Sequence, residues 1–302
     1  MFSIRSVRRC GVSFLSVAAL ALGLAPSADA QSAADPNTGA MTITGATDFS
    51  NAYLFRGIYQ ETDGLIIWPY FDLGIAAFSG DGGVKSVGVN IGTWNSLHTG
   101  PHGSDGPSGK LWYESDFYAT LGLGFGGGVS LGTTFTAYTS PNNSFATTKE
   151  IAFKLGVDDS ASLGKASLKP YALFAFEFDS DVNSGQADGG LNAGKYLELG
   201  VAPGYAGSRA SLSVPIKVGL SMGDYYELCT AGCGTAAPVY EDNAFGFFSI
   251  AGVVTVPLGG TTNFGSWNLH GGVEFQKLGT TTEAFLGDDN QTIASIGIGF
   301  SY

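Results

Sequence analysis

The sequence predicts an all-β chain: a transmembrane antiparallel β-barrel of about twelve strands, formed after removal of a cleaved signal peptide. Three observations carry that expectation. Hydrophobicity alternates with a period of two through most of the chain, the connections sort by length, and the final residues form an alternating strand ending in Tyr302.

The first thirty residues are set apart by their pattern. Arg5, Arg8 and Arg9 form a basic start, Val12 to Leu24 is a short apolar run, and "PSADA" places small residues before Gln31. That is the layout of a secretory signal, too short to cross a bilayer as a helix. Cys10 precedes the apolar run, so it is not placed as a lipoprotein anchor. Cleavage is expected after Ala30, with residues 31–302 forming the barrel. The whole chain has 14 basic and 26 acidic residues, and the signal segment contains three of the former and one of the latter. The mature chain is therefore strongly acidic, which argues against nucleic acid as a partner.

The strands follow in order. Strand one, 43–56, places Phe49, Asn51, Tyr53 and Phe55 on the lipid parity, with Asp48, Ser50, Ala52, Leu54 and Arg56 on the lumen parity. Strands at 65–78 and 84–96 lead to the clearest case, 111–125. There Leu111, Tyr113, Phe117, Leu121 and Phe125 alternate with Trp112, Glu114, Asp116, Tyr118 and Thr120. After 129–139, the strand at 147–157 alternates Ile151, Phe153 and Leu155 with Glu150, Ala152 and Lys154. Strands at 166–178 and 195–205 precede 210–222, where Leu212, Val214, Ile216 and Val218 alternate with Ser213, Pro215 and Lys217. After 244–256, the strand at 267–277 sets Trp267, Leu269, Val273 and Phe275 against Asn268, His270, Gly272 and Glu274. The last strand, 292–302, puts Ile296, Ile298, Phe300 and Tyr302 on one face.

Most even-numbered connections are short, such as "SGDGG" and "GGG", and most odd-numbered ones are long, such as "HTGPHGSDGPSGK". Outer-membrane barrels sort their turns this way, with short periplasmic turns and long external loops. A secreted soluble β-protein accounts for alternation and an export signal but not for this parity. The strand directions put Phe78, Phe125, Trp267, Phe300 and Tyr302 at the periplasmic ends, where an aromatic girdle belongs. The terminal strand has the form by which barrel-assembly machinery recognises its clients, and outer-membrane lipid is the expected surrounding.

The stretch "SNAYLFRGI", Ser50 to Ile58, sets one arginine among apolar neighbours. On the alternation Arg56 points into the lumen near the external mouth, while Tyr53 and Phe55 face lipid. Asn51 is the misfit on the lipid parity, and a bulge would re-aim it. This stretch, with "IIWPYFDLGI", "GTWNS" at Gly92 to Ser96 and "WYESDFY", resembles the TorF-type porin family of proteobacterial outer-membrane proteins. The similarity is closest over the first half of the mature chain. It implies a bacterial outer-membrane barrel with a channel role and supplies no established substrate.

The lumen parity gathers Asp48, Asp72, Glu114, Asp116, Glu150, Glu177, Glu198 and Glu274 as acids, and Arg56, Lys154, Lys169 and Lys217 as bases, with His270 as a titratable ring. In a water-filled pore such groups tune ion selectivity, and this balance favours cations. The expected function is passive diffusion of small polar or cationic solutes. The alternative is a non-conducting barrel with a structural or adhesive role through its loops, since acids and bases on facing strands can pair and fill a narrow lumen.

Catalysis is not expected. His98 and His102 read as loop residues and His270 as a strand residue, none paired with a serine on one strand face. No metal or other cofactor is implied: "HTGPH" supplies only two ligands. "DSDVNSG", Asp179 to Gly185, opens like a calcium loop but has Ser184 at the sixth position and Gly190 at the twelfth. Cys229 and Cys233, in a compartment that oxidises thiols, are expected to pin one loop tip with a disulfide.

Overall fold

A computed structural model of the chain describes residue 37 and residues 39–103, 109–178, 192–207, 209–259 and 265–302. The signal segment and the Asp179–Gly185 motif lie outside the described residues.

The strands in chain order are β1 (Met41–Ser50), β2 (Tyr53–Phe55), β3 (Ile58–Glu61), β4 (Ile66–Ser79), β5 (Val84–His98), β6 (Trp112–Phe125), β7 (Val129–Thr139), β8 (Thr148–Val157), β9 (Tyr171–Phe178), β10 (Lys195–Val201), β11 (Gly204–Ala206), β12 (Ser211–Ser213), β13 (Ile216–Gly223), β14 (Glu227–Ala231), β15 (Val239–Asp242), β16 (Phe245–Pro257), β17 (Ser266–Leu278) and β18 (Asn290–Ser301). Fourteen of these make one antiparallel sheet. Two staves are each split by a proline, β10/β11 at Pro203 and β12/β13 at Pro215, where the missing N–H interrupts the ladder. The wall therefore has twelve staves, as the alternation predicts. It closes where β18 pairs with β1, from Thr44 opposite Ser301 to Ser50 opposite Ser295. Tyr302 exchanges both backbone bonds with Ile43, at 2.6 and 2.8 Å. Closure leaves no unpaired edge, the condition a sheet must meet in hydrocarbon.

The outer face is apolar: Phe71, Ile91, Phe117, Leu155, Val273 and Ile296 are all exposed. Phe78, Trp267 and Tyr302 stand outward at the end that carries both termini of the barrel, the periplasmic end. Trp267 packs on Phe300 with ring centroids 5.4 Å apart. The turn between β8 and β9 departs from the rule of short periplasmic turns. It holds α1 (Ser160–Leu163) and is organised by Asp159, which accepts from Ser167 Oγ and from the amides of Leu168 and Lys169. α2 (Thr280–Leu286) lies in the external loop after β17.

Three expectations need correction. The first strand stops at Ser50 instead of running to residue 56. There the chain leaves the wall: Asn51 Oδ1 accepts from the Ala294 amide at 2.7 Å, covering the donor that β1 no longer meets. Tyr53 and Phe55 consequently lie inside the barrel and not against lipid. They are 1% and 3% exposed. The second correction is at β6. A register shift where Ser96 and Leu97 meet Glu114 and Trp112 turns Trp112 to the outside and Tyr113 into the lumen, reversing the predicted faces. Third, Lys169 does not lie on a lumen strand. It belongs to the turn before Pro170, with a left-handed φ of 48°.

Candidate functional site

The lumen divides into a filled external half, whose charged groups are buried, and a periplasmic half, where several charged groups are partly exposed. The external half is filled from within by the β2–β3 hairpin, whose turn residues Arg56 and Gly57 have φ of 52° and 81°. Two consecutive positive φ values suit the tight two-residue turn that matches strand twist. Tyr53, Leu54, Phe55 and Ile58 are all buried. Each apolar side chain of this kind contributes about 1.5–3 kcal/mol on full burial. Tyr53 packs on Trp68 and Trp94, both with centroids 5.5 Å away, and Phe55 packs on Tyr138 at 5.4 Å.

Arg56 at the hairpin tip reaches across to β8. Its Nη1 and Nη2 donate to Glu150 Oε2 and Oε1 at 2.7 and 2.9 Å, and Nη1 also donates to the Tyr225 hydroxyl at 2.9 Å. The guanidinium lies 4.1 Å from the Tyr196 ring centroid. Tyr225 and Tyr226 enter the lumen from the segment between β13 and β14. Tyr226 donates to the Arg56 carbonyl at 2.8 Å. Gly246 makes room for that ring, because a Cβ there would stand 1.9 Å from it. Tyr53 donates to Glu114 Oε2 at 2.9 Å, with Asp116 buried beside it on the same face of β6. Glu177 accepts from the Gly194 amide at 2.9 Å. Glu61 closes the rim, accepting from the amides of Thr62, Asp63 and His102.

In the periplasmic half Asp48, Lys154, Glu198, Lys217 and His270 are partly exposed, while Asp72 and Glu274 are buried. Tyr171 and Tyr196 each donate to Glu198 at 2.7 Å. Lys154 lies over the Tyr171 ring at 4.3 Å, and Lys217 pairs with Glu274 at 3.5 Å. Asp48 meets His270 Nε2 at 2.7 Å, and Asn268 Oδ1 lies 2.8 Å from His270 Nδ1. This contact crosses β18 at Gly297, where a Cβ would stand 2.3 Å from Asp48 Oδ1. Asn90 donates to Asp72 at 2.6 Å.

The structure thus places Asp48, Arg56, Asp72, Glu114, Asp116, Glu150, Lys154, Glu177, Glu198, Lys217, His270 and Glu274 on the lumen face, and removes Lys169 from it. Sequence reasoning missed the tyrosines that hold these charges, Tyr225 and Tyr226 above all. It also misplaced His98, which ends β5 and is not a loop residue. Ser96 and His98 are two apart on one strand face, with Oγ and Nε2 2.7 Å apart. That contradicts the expectation that no histidine pairs with a serine in this way, and i, i+2 spacing was the available signal. Both residues are 0% exposed, and among the described residues His98 Nδ1 has no hydrogen-bond partner. His98 stacks on Tyr113 at 4.1 Å. Among the described residues no three His, Cys, Asp or Glu side chains gather as metal ligands. Cys229 and Cys233 form the expected disulfide, joining β14 to the turn that follows it.

No family model and no curated protein matches the chain. Among solved structures it is similar to the porin NanC, at 10% identity and a TM-score of 0.41, covering 86% of this chain and 99% of that one. An outer-membrane channel from Pseudomonas putida F1 shares 9% identity with a TM-score of 0.45, covering 89% and 97%. The translocator domain of the autotransporter NalP from Neisseria meningitidis shares 11% with a TM-score of 0.41, covering 87% and 89%. These likenesses concern barrel architecture. With its closed wall, apolar exterior and polar interior, the chain is an outer-membrane β-barrel.

Proposed function

We propose that the barrel is an outer-membrane channel for small polar or cationic solutes, shut at its external half by the β2–β3 hairpin. The observation that carries this reading is the division of the lumen. The periplasmic half keeps Asp48, Lys154, Glu198, Lys217 and His270 partly exposed within a membrane protein. The hairpin is held at its tip by one ion pair, Arg56–Glu150. A charge lining of this kind serves passage of polar solutes, and an inward-folded loop sets when passage occurs. The resemblance of "YLFRG" and its companion motifs to TorF-type porins supports the same reading.

A second reading, a non-conducting barrel that acts through its loops, draws on the aromatic packing around Tyr53, Trp68, Trp94 and Phe247 that fills the external half. Planar-bilayer recording under a salt gradient separates the two. On the channel reading the wild type is silent or opens briefly, and Arg56→Ala/Glu150→Ala conducts stepwise with a cation-favouring reversal potential. An intact double variant that stays silent sinks the channel and leaves the second reading.

A further inference from the structure

Neighbouring antiparallel strands can be joined by a loop of about two residues, yet residues 158–170 join β8 to β9. This periplasmic segment is tied down on both sides. The Asp158 amide donates to the Gly128 carbonyl at 2.9 Å, and the Ala202 amide donates to the Leu168 carbonyl at 2.7 Å. It also reaches the lipid face of the wall. Lys165 Nζ lies 5.5 Å from the Tyr205 ring centroid. Tyr205 of β11 faces Leu212 of β12, and Leu212 faces Val254 of β16. All three are exposed, whereas Ser211 beside Leu212 is buried. Tyr205 therefore belongs to the outer face, because side chains in such a row share one side of a sheet. Lys165 stands beside it there.

The segment presents two kinds of side chain. Leu163 and Leu168 are 50% and 47% exposed. Lys165 is exposed and Lys169 half-buried, and the adjoining turn between β11 and β12 adds an exposed Arg209. Among the described residues none of these three cations forms an ion pair. The two acids nearby are engaged by the turn itself. Asp158 accepts from the Ser160 amide at 3.0 Å, and Asp159 accepts from Ser167 and from the amides of Leu168 and Lys169. Asp158 also lies close enough to Lys169 to act on its charge. Exposed acids such as Asp63, Glu241, Asp242 and Asp288 stand at the opposite, external end. A chain with 26 acidic and 14 basic residues thus turns outward-reaching cations to this edge.

A neutral lipid would account for the leucines and Tyr205 but leave three cations without a counter-charge. A soluble anion would account for the cations but leave the leucines in water. A phosphate-bearing lipid satisfies both, since lysine and arginine stems lie along hydrocarbon while their heads reach the phosphate layer. Basic residues at a membrane surface are drawn to anionic headgroups in this way. We infer that the β8–β9 turn, with Arg209, is a docking surface for anionic phospholipid of the periplasmic leaflet. It holds whether or not the barrel conducts.

The test uses the refolded full-length barrel in phosphatidylcholine vesicles at low, fixed salt, with phosphatidylglycerol raised stepwise. Amide exchange of residues 158–170, read by mass spectrometry, should slow several-fold and saturate, while the β14–β15 hairpin stays unchanged. High salt should weaken the effect. Lys165→Gln/Lys169→Gln/Arg209→Gln should keep the heat-modifiable fold and lose the dependence on phosphatidylglycerol. Leu163→Asn/Leu168→Asn should lower protection at every composition. Exchange indifferent to phosphatidylglycerol overturns the inference, as does a dependence unchanged in the triple variant. Equal protection from glycerol phosphate added to phosphatidylcholine vesicles overturns it too, because a soluble anion would then suffice.

Discussion

Arg56 sits in left-handed backbone, with φ of 52°, a conformation that costs an L-residue about 1–2 kcal/mol. Its guanidinium offsets that cost through Glu150, Tyr225 and the face of Tyr196. Removing it leaves Glu150 buried and unpaired. Arg56→Ala should therefore destabilise the barrel by about 3–5 kcal/mol, the usual cost of breaking one side of a buried pair. Arg56→Ala/Glu150→Ala should be distinctly more stable than Arg56→Ala, because neither member of the pair is left buried without the other. Urea unfolding in detergent, followed by tryptophan fluorescence, measures both. Gly246 acts at the same scale. Gly246→Ala sets a methyl group into the Tyr226 ring, so the ring must leave and its bond to the Arg56 carbonyl must break. Overpacking of this kind costs about 1–3 kcal/mol. Near-ultraviolet circular dichroism of the tyrosines would register the loss.

Elements show how local chemistry overrides alternation. The register shift in β6 at Trp112 adds a residue to one side of the ladder, and every side chain before it changes face. The periplasmic turn between β8 and β9 is held by one carboxyl. The Ser167 hydroxyl, then the amide of Lys169, stabilise charged Asp159 and hold its pKa below the ordinary value of 3.8. A depressed folded-state pKa contributes stability that is present above the unfolded value and lost as pH falls through the folded one. Amide-exchange protection of residues 158–170 should thus be constant near neutral pH and decline from about pH 4 downward. In Asp159→Asn it should be weak at neutral pH and flat in acid. Protection in the variant equal to wild type would show that other contacts hold the turn. The Cys229–Cys233 bridge spans 4 residues in sequence at an exposed loop. Reducing it should increase proteolysis within the β14–β15 hairpin and leave the thermal midpoint of the barrel unchanged.

At the scale of the whole molecule, closure and filling are separate events. The wall closes through β1 and β18, joined over seven residue pairs and by the Ile43–Tyr302 backbone bonds. Deleting residues 299–302 removes the periplasmic end of this seam. It should lower the yield of the heat-modifiable folded form on refolding, read as the fraction of compact species on an unboiled gel. The filling comes from loops that turn inward, and their packing differs from that of the wall. In the wall apolar side chains face out, whereas the hairpin buries Tyr53, Leu54, Phe55 and Ile58 against aromatics inside. The division of the lumen follows from where those loops reach.

The sequence by itself determined the wall. Alternation is a property of neighbouring residues, so the twelve staves, their lumen face and the outward Ile296, Ile298 and Trp267 could be read without knowing which strand pairs with which. It also held a signal that parity masked: "FRGI", a glycine-bearing two-residue turn between apolar residues, marks a hairpin. Only the tertiary structure decided that Tyr53 and Phe55 go inside. Their parity is the same in a wall strand and in an inward hairpin, and what separates the two is where β1 loses its ladder partners at Ser50. The partners of each charge were hidden for the same reason. Arg56 and Glu150 lie 94 residues apart, and Arg56 and Tyr225 lie 169 apart. Closing the sheet into a ring is what brings such distant residues face to face across one lumen.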